Sequence, residues 1–301
     1  GMGELANLSD DRIVMIRNDQ NMGLAATLNR GVDMAKGELI ARMDQDDIAC
    51  RERLRMQVDF MERYSDVAVC GCGVEVFYEH GGTHRHYFPL SSNTIRAEAL
   101  FNSPISHPGA MIRKSILLAG LYRYDETPYA VEDYDLFSRI VRCHKAVNLP
   151  YFLLRYRVSG NNETARADAP ARAAVRKAAI TRVQSANLMQ AGFNPTQRQL
   201  DLHYQLSLTD RMRTLDLGEY TLGEIKTYLY AVRKTIIGSA YTSKHAARRI
   251  TGKIFLKLII YRWRDIGAAR LFGQLYSSLV WEGVWDTLVL RADYLLKRKN
   301  N

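Results

Sequence analysis

Short apolar runs alternate with helically spaced apolar positions through the first half of this chain, the pattern of an α/β unit. Residues 13–16 form a largely β-branched run that predicts a strand. After a polar turn over 18–22, Leu24, Leu28, Val32 and Ala35 recur at helical spacing, with Gly37 placed to close the helix just past its C-cap. Residues 38–43 predict a second strand, which runs into Asp44, Gln45, Asp46 and Asp47. A helix over 51–64 follows, with Leu54, Val58 and Met61 on one face, then an apolar, glycine-containing run over 67–77 that suits a buried strand. Residues 79–106 are rich in turn formers, and 108–113 predict a strand. Residues 131–142 predict a helix with Glu132, Asp133 and Asp135 in its first turn, and 146–158 supply the last strand.

From residue 163 the pattern changes to an Ala-rich amphipathic helix reaching about 191, a break over 192–195, and further helical segments. The expected organisation is an α/β domain over 1–165 followed by an α-helical extension over 166–301. Two tail segments, 254–263 and 279–296, are apolar but interrupted by Lys257, Glu282, Asp286, Arg291 and Asp293. Neither reaches the 18 or so apolar residues of a membrane span, so no transmembrane helix is expected.

Composition narrows the class. With 301 residues, 47% hydrophobic and 25% charged, the chain has the make-up of a soluble globular protein with room for two domains. Cys50, Cys70, Cys72 and Cys143 have neither metal-ligand spacing nor a disulfide framework, which points to buried thiols in a reducing cytoplasm. The N-terminus shows no basic segment followed by an apolar run, so no signal peptide is read there. The formal charge of +10 sits mostly in the helical tail, where 253–264 alternates apolar blocks with Lys, Arg and Trp263. That pattern fits either a core helix with a solvated basic face or a helix lying on an anionic membrane. Nucleic-acid binding is not expected, since the tail lacks the interleaved aromatic and basic residues of a single-strand groove.

Three carboxylates within residues 44–47 repel one another unless a cation or donors offset them. Mg²⁺ or Mn²⁺ is the simplest compensation, because hard cations take one or two carboxylates plus substrate phosphates; a solvated acidic turn capping the next helix is the alternative. Glu132 and Asp133 fit either catalysis or favourable charge at a helix N-terminus. His107 fits either contact with an acceptor or a satisfied strand end.

Beyond these patterns, Asn21-Met-Gly-Leu-Ala-Ala-Thr-Leu-Asn-Arg-Gly31, Ala35-Lys-Gly-Glu-Leu-Ile-Ala-Arg-Met-Asp-Gln-Asp-Asp47 and Arg51-Glu-Arg-Leu-Arg-Met-Gln57 resemble family 2 glycosyltransferases of the GT-A fold. The resemblance extends to Ser106-His-Pro-Gly-Ala-Met-Ile-Arg113, Glu132-Asp-Tyr-Asp-Leu136, Leu154-Arg-Tyr-Arg157 and, in the tail, 192–203. It implies a mostly parallel α/β sheet and inverting transfer of a sugar from a nucleotide-diphosphate donor to a glycan or lipid-linked acceptor. By the same resemblance Asp46 and Asp47 are metal ligands, and Asp44 lies near the ribose or diphosphate. Asn21, Gly23, Asn29 and Arg30 lie beside the nucleotide, and Asp133, with Glu132, is the general base.

Two departures qualify it. Many relatives place a histidine after the Tyr-Arg pair, whereas this chain reads Tyr156-Arg-Val-Ser159-Gly-Asn-Asn162, leaving Ser159, Asn161 or Asn162 as substitute oxygen donors. The family's first two strands and their nucleotide-binding turns are also not recognised, so the expectation is that coding sequence lies upstream or that a second copy fills the gap by swapping or dimerising. The alternative reading is a non-catalytic GT-A-like binding or scaffold protein.

Overall fold

The computed structural model describes residues 10–118, 122–127, 131–159, 170–267, 271, 273, 274 and 277–296. In chain order the elements are α1 (Leu24–Met34), β1 (Leu39–Ala41), β2 (Ile48–Ala49), α2 (Arg53–Arg63), β3 (Val67–Tyr78), β4 (Thr83–His86) and α3 (Ser92–Ala99). A 3₁₀ turn at His107–Gly109 leads into β5 (Met111–Arg113), α4 (Lys114–Leu118), α5 (Glu132–Cys143) and β6 (Lys145–Val158). The tail holds α6 (Pro170–Gln190), α7 (Gln197–Leu206), α8 (Thr209–Thr214), α9 (Leu222–Gly238), α10 (Lys244–Ile266) and α11 (Ser278–Leu296).

The strands form one sheet in the order β1-β5-β3-β6-β2, with β4 on β3. It is mixed rather than mostly parallel: β3 and β6 run parallel, while β1–β5, β3–β5, β3–β4 and β2–β6 are antiparallel. The α/β class stands, but the antiparallel pairings were not legible because β2 and β5 are too short to show periodicity. One face of the sheet, with Val69, Ile112 and Ala146, buries Val32 of α1, Ile95 of α3 and Leu136, Phe137 and Ile140 of α5. The other face, with Cys70, Cys72, Val74 and Leu154, closes on Met61 of α2.

Several expectations need correction. Residues 13–16 form no strand; their side chains are exposed and no described strand pairs with them. The first helix ends at Met34 with an extended Ala35 cap, so Gly37 is not its left-handed terminator. Helix α2 buries Arg53, Gln57 and Met61, while Leu54 faces solvent. The turn-rich 79–106 contains β4 and α3, the latter opened by a capping box between Ser91 and Thr94. The boundary expected near 165 falls outside the described residues, as do Asn161 and Asn162.

The tail packs on the α/β unit. A single core joins Ala97, Leu100 and Phe101 to Leu188, Leu202, Leu229, Ile250, Phe255 and Leu279. None of the helices among the described residues is long and apolar enough to cross a membrane.

Candidate active site

The acidic tetrad sits in the turn that leaves β1 and enters β2. Buried donors from elsewhere hold this turn. The Arg42 amide bonds Ala110 O at 3.0 Å, tying the end of β1 to the residue before β5. Arg53, fully buried, donates through Nη2 to Arg42 O at 2.6 Å. Gln57, one helical turn on, donates to both Cys70 O and Gly109 O at 2.9 Å. From β6, the Arg157 amide donates to Asp47 Oδ1 at 2.9 Å and its Nε to Asp46 O at 3.0 Å, while its guanidinium lies over the Phe77 ring.

Within that frame the three carboxylates are not equivalent. Asp44 forms an ion pair with the buried Arg42 guanidinium. Although Arg42 Nη1 is in that pair, neither it nor Nε is aligned for a hydrogen bond. Asp47 is buried, its Oδ2 has no hydrogen-bond partner, and burial, with repulsion from Asp44 and Asp46, pushes its pKa up to about 6. Asp46 is half-buried. Among the described residues no three His, Cys, Asp or Glu side chains converge as a metal-binding group. The donor chemistry nevertheless suits a hard cation, since an orphaned buried carboxylate oxygen beside two further carboxylates is a site that positive charge would relieve.

Glu132 and Asp133 open α5, as the acidic first turn predicted. Burial raises the Asp133 pKa, and the Tyr134 amide, Arg42 and the Ser103 hydroxyl counter it. Tyr124 feels the charges of Arg42, Asp133, Glu132 and Asp44, so these groups share one electrostatic neighbourhood. His107 belongs to it too: its Nε2 lies 3.0 Å from the Tyr124 hydroxyl, and burial and Arg42 hold its pKa well below the usual value. Its ring also packs edge-on against Phe137.

The expected nucleotide contacts divide. Asn21 and Gly23 remain exposed at the mouth of α1, with Asn21 Oδ1 accepting from Gly23 N at 3.0 Å and Gly23 at φ +81°, in the left-handed region. Asn29 is buried, and its amide exchanges hydrogen bonds with the Tyr124 backbone and donates to Glu126 Oε1 at 2.9 Å. Arg30 donates through Nη1 to Arg17 O and Asn18 Oδ1. These two shape the loops around the site. Sequence reasoning missed Arg42, Arg53, Gln57 and Arg157 as individual actors; all four lie inside the quoted motifs, but nothing in their residue type marks them as parts of the clamp.

The glycosyl transferase family 2 model matches residues 2–120, which include the tetrad and the residues that clamp it from α2 and β5. Over those residues the chain is similar to glycosyl transferase family 2. Their match begins near the start of the chain and does not confirm that strands of the domain are missing. The family resemblance extends to curated relatives. The amylovoran biosynthesis glycosyltransferase AmsE of Erwinia amylovora is 34% identical over 50% of this chain and 56% of that protein. The putative glycosyltransferase EpsE of Bacillus subtilis is 37% identical over 43% and 46%. An Escherichia coli UDP-Gal:alpha-D-GlcNAc-diphosphoundecaprenol beta-1,3-galactosyltransferase is 33% identical over 40% and 44%. The chain thus spans about half the length of the curated relatives it matches. Among solved structures, S. aureus TarS 1-349 aligns with 83% of this chain and 69% of that chain at 13% identity and a TM-score of 0.45, from which nothing is drawn.

Proposed function

We propose that the protein is an inverting glycosyltransferase that moves a sugar from a nucleotide-diphosphate donor to the hydroxyl of a glycan or lipid-linked acceptor, in surface polysaccharide or glycan assembly. The observation that carries this reading is Asp133: a carboxylate at the head of α5, its pKa raised by burial, in the field of the Arg42 that pairs with Asp44. A raised pKa makes a carboxylate a stronger base, and Ser103 and the Tyr134 amide orient it. In the proposed reaction Asp133 takes the acceptor proton as the hydroxyl attacks the anomeric carbon. Asp44, fixed by Arg42, faces the ribose or diphosphate, with Asn21 and Gly23 at the nucleotide's edge. Asp46 and Asp47 are the proposed holders of Mg²⁺ or Mn²⁺, which when bound would neutralise charge on the departing diphosphate. The names of the relatives, which include amylovoran biosynthesis and transfer from UDP-Gal, support the nucleotide-sugar donor and the polysaccharide setting. The proposed location is the cytoplasm, with the helical tail in contact with the inner face of the membrane.

Titration calorimetry with UDP and GDP, in Mn²⁺ and in EDTA, tests the site. Binding that needs the cation, and loses that dependence in Asp46→Asn, is the expected result; equal affinity in EDTA would sink the metal role. Hydrolysis of UDP-, GDP- and dTDP-sugars in Mn²⁺ separates an enzyme from a scaffold: nucleotide binding without any turnover favours the scaffold.

A further inference from the structure

The chain has three tryptophans, and all of them lie in the last two long helices with more than half their surface in solvent: Trp263 at 53%, Trp281 at 60% and Trp285 at 63%. Tryptophan is on average a highly buried residue, so its uniform exposure calls for a cause. Two of the three lie on α11. The inner face of that helix, Leu279, Val280, Gly283, Asp286 and Tyr294, is buried. Gly283 lies so close to Gly252 of α10 that a Cβ on Gly252 would meet Gly283 N at 2.7 Å, and Tyr294 bonds the Phe88 backbone at 3.3 Å. These contacts fix the helix's rotation. The outer face then presents Trp281, Trp285, Leu288, Ala292 and Leu295, a stripe at steps of four, three, four and three residues, with Leu296 beside it.

Three of the four charges of α11 are sorted in the same sense. Glu282 pairs inward with Arg233 at 2.5 Å and Asp286 with Arg249, whereas Arg291 is exposed and Lys297, Arg298 and Lys299 follow in the sequence. Residues 244–301 carry twelve Lys and Arg against four Asp and Glu. We infer that the outer face of α11 docks on an anionic lipid surface, lying in the interface rather than crossing it. Its aromatic and leucine side chains enter the headgroup boundary, and the exposed Arg291 together with the basic residues that follow the helix in sequence meets the lipid charge. A second copy is the poorer occupant, because it would set the same basic excess against itself. The face also differs from the one the sequence suggested: Lys253 bonds Glu98 at 2.7 Å, and Ala247, Ile250, Ile254 and Phe255 are buried, so the first half of α10 is core. This inference deepens the membrane placement proposed above and does not depend on catalysis.

The test uses the 301-residue protein with vesicles of phosphatidylcholine alone and of phosphatidylcholine with phosphatidylglycerol. Tryptophan emission reports on α11 through two of the three tryptophans, and the double variant below separates them from Trp263. The expected result is a blue shift and co-sedimentation with the anionic vesicles, weakened by salt. Trp281→Ser with Trp285→Ser should lower lipid partitioning by about tenfold or more. That double variant should keep the wild-type unfolding midpoint and nucleotide affinity, so failure of docking and failure of the glycosyltransferase reading are separately visible. No partitioning into anionic vesicles at low salt overturns the inference, as does partitioning that the double variant leaves unchanged. A blue shift that grows with protein concentration in the absence of lipid assigns the face to a second copy instead.

Discussion

Arg42 is a buried guanidinium that pairs with Asp44 and lowers the pKa of both Asp133 and His107. Its effect on Asp133 has a definite sign. The Asp133 pKa stands above its ordinary value, and a general base works only when ionised, so turnover falls as pH drops through that raised pKa. Removing Arg42 removes a lowering influence. In Arg42→Gln the acid limb of kcat/KM should therefore move to higher pH, read from a pH profile of donor turnover; a limb that stays in place would show that Arg42 does not tune the base. Asp133→Asn should reduce turnover by about 10² to 10⁴. Nucleotide affinity by calorimetry should be unchanged, which distinguishes loss of the base from loss of the site.

At the scale of elements, α2 shows how a helix can hold an acidic turn with polar groups. Gln57 supplies both hydrogens of its amide to carbonyls of β3 and of the turn before β5, in a fully buried position. Gln57→Ala leaves two buried acceptors unsatisfied and should lower stability by about 2–4 kcal/mol, measured by denaturant unfolding; Gln57→Glu should be no better, since a carboxylate cannot donate. The same helix explains what the sequence could and could not reveal. Its existence was legible from apolar spacing, but its buried face was not, because Arg53 and Gln57 look solvent-bound until the carbonyls they satisfy are placed by the fold. The carboxylate clusters at 44–47 and 132–133 were legible as sequence density, and the fold sets Asp44 and Asp133 in the field of the same Arg42. The two-residue β2 and the antiparallel pairings were not, since so few residues carry no period and strand direction leaves no mark on the pattern. The run at 13–16 misled in the opposite way: β-branched composition predicts a strand only where a neighbouring strand exists to pair with it.

At the scale of the whole molecule, the tail is fastened to the α/β unit by buried polar contacts as well as by core. Asn187 of α6 donates to Ala99 O at 2.7 Å, and Gln184 donates to Phe101 O at 2.9 Å. His203 of α7 stacks on Phe101, and its two ring nitrogens lie 2.8 Å from Leu100 O and 2.6 Å from the Tyr228 hydroxyl. The carbonyl fixes Nε2–H as the donor, and in the neutral ring that burial favours Nδ1 accepts from the tyrosine. Burial accordingly pushes the His203 pKa down to about 4. An unfolded histidine titrates near 6.5, so from that pH downward the unfolded chain takes up a proton that the folded chain refuses. The stabilisation is complete above about 6.5 and is lost as pH falls toward the folded value, by up to about 3 kcal/mol at 1.36 kcal/mol per unit. The test is thermal unfolding across pH 4 to 8, followed by both far-UV circular dichroism and tryptophan emission, compared with His203→Gln. The variant should be less stable at neutral pH, where it loses a fitted hydrogen-bonding pair, yet should show a shallower decline on acidification. Because α6, α7 and α3 share one core, both probes should report a single transition at neutral pH. An acid decline as steep in the variant as in the wild type would assign the effect to other groups, and two separate transitions at neutral pH would show that the tail and the α/β unit fold independently.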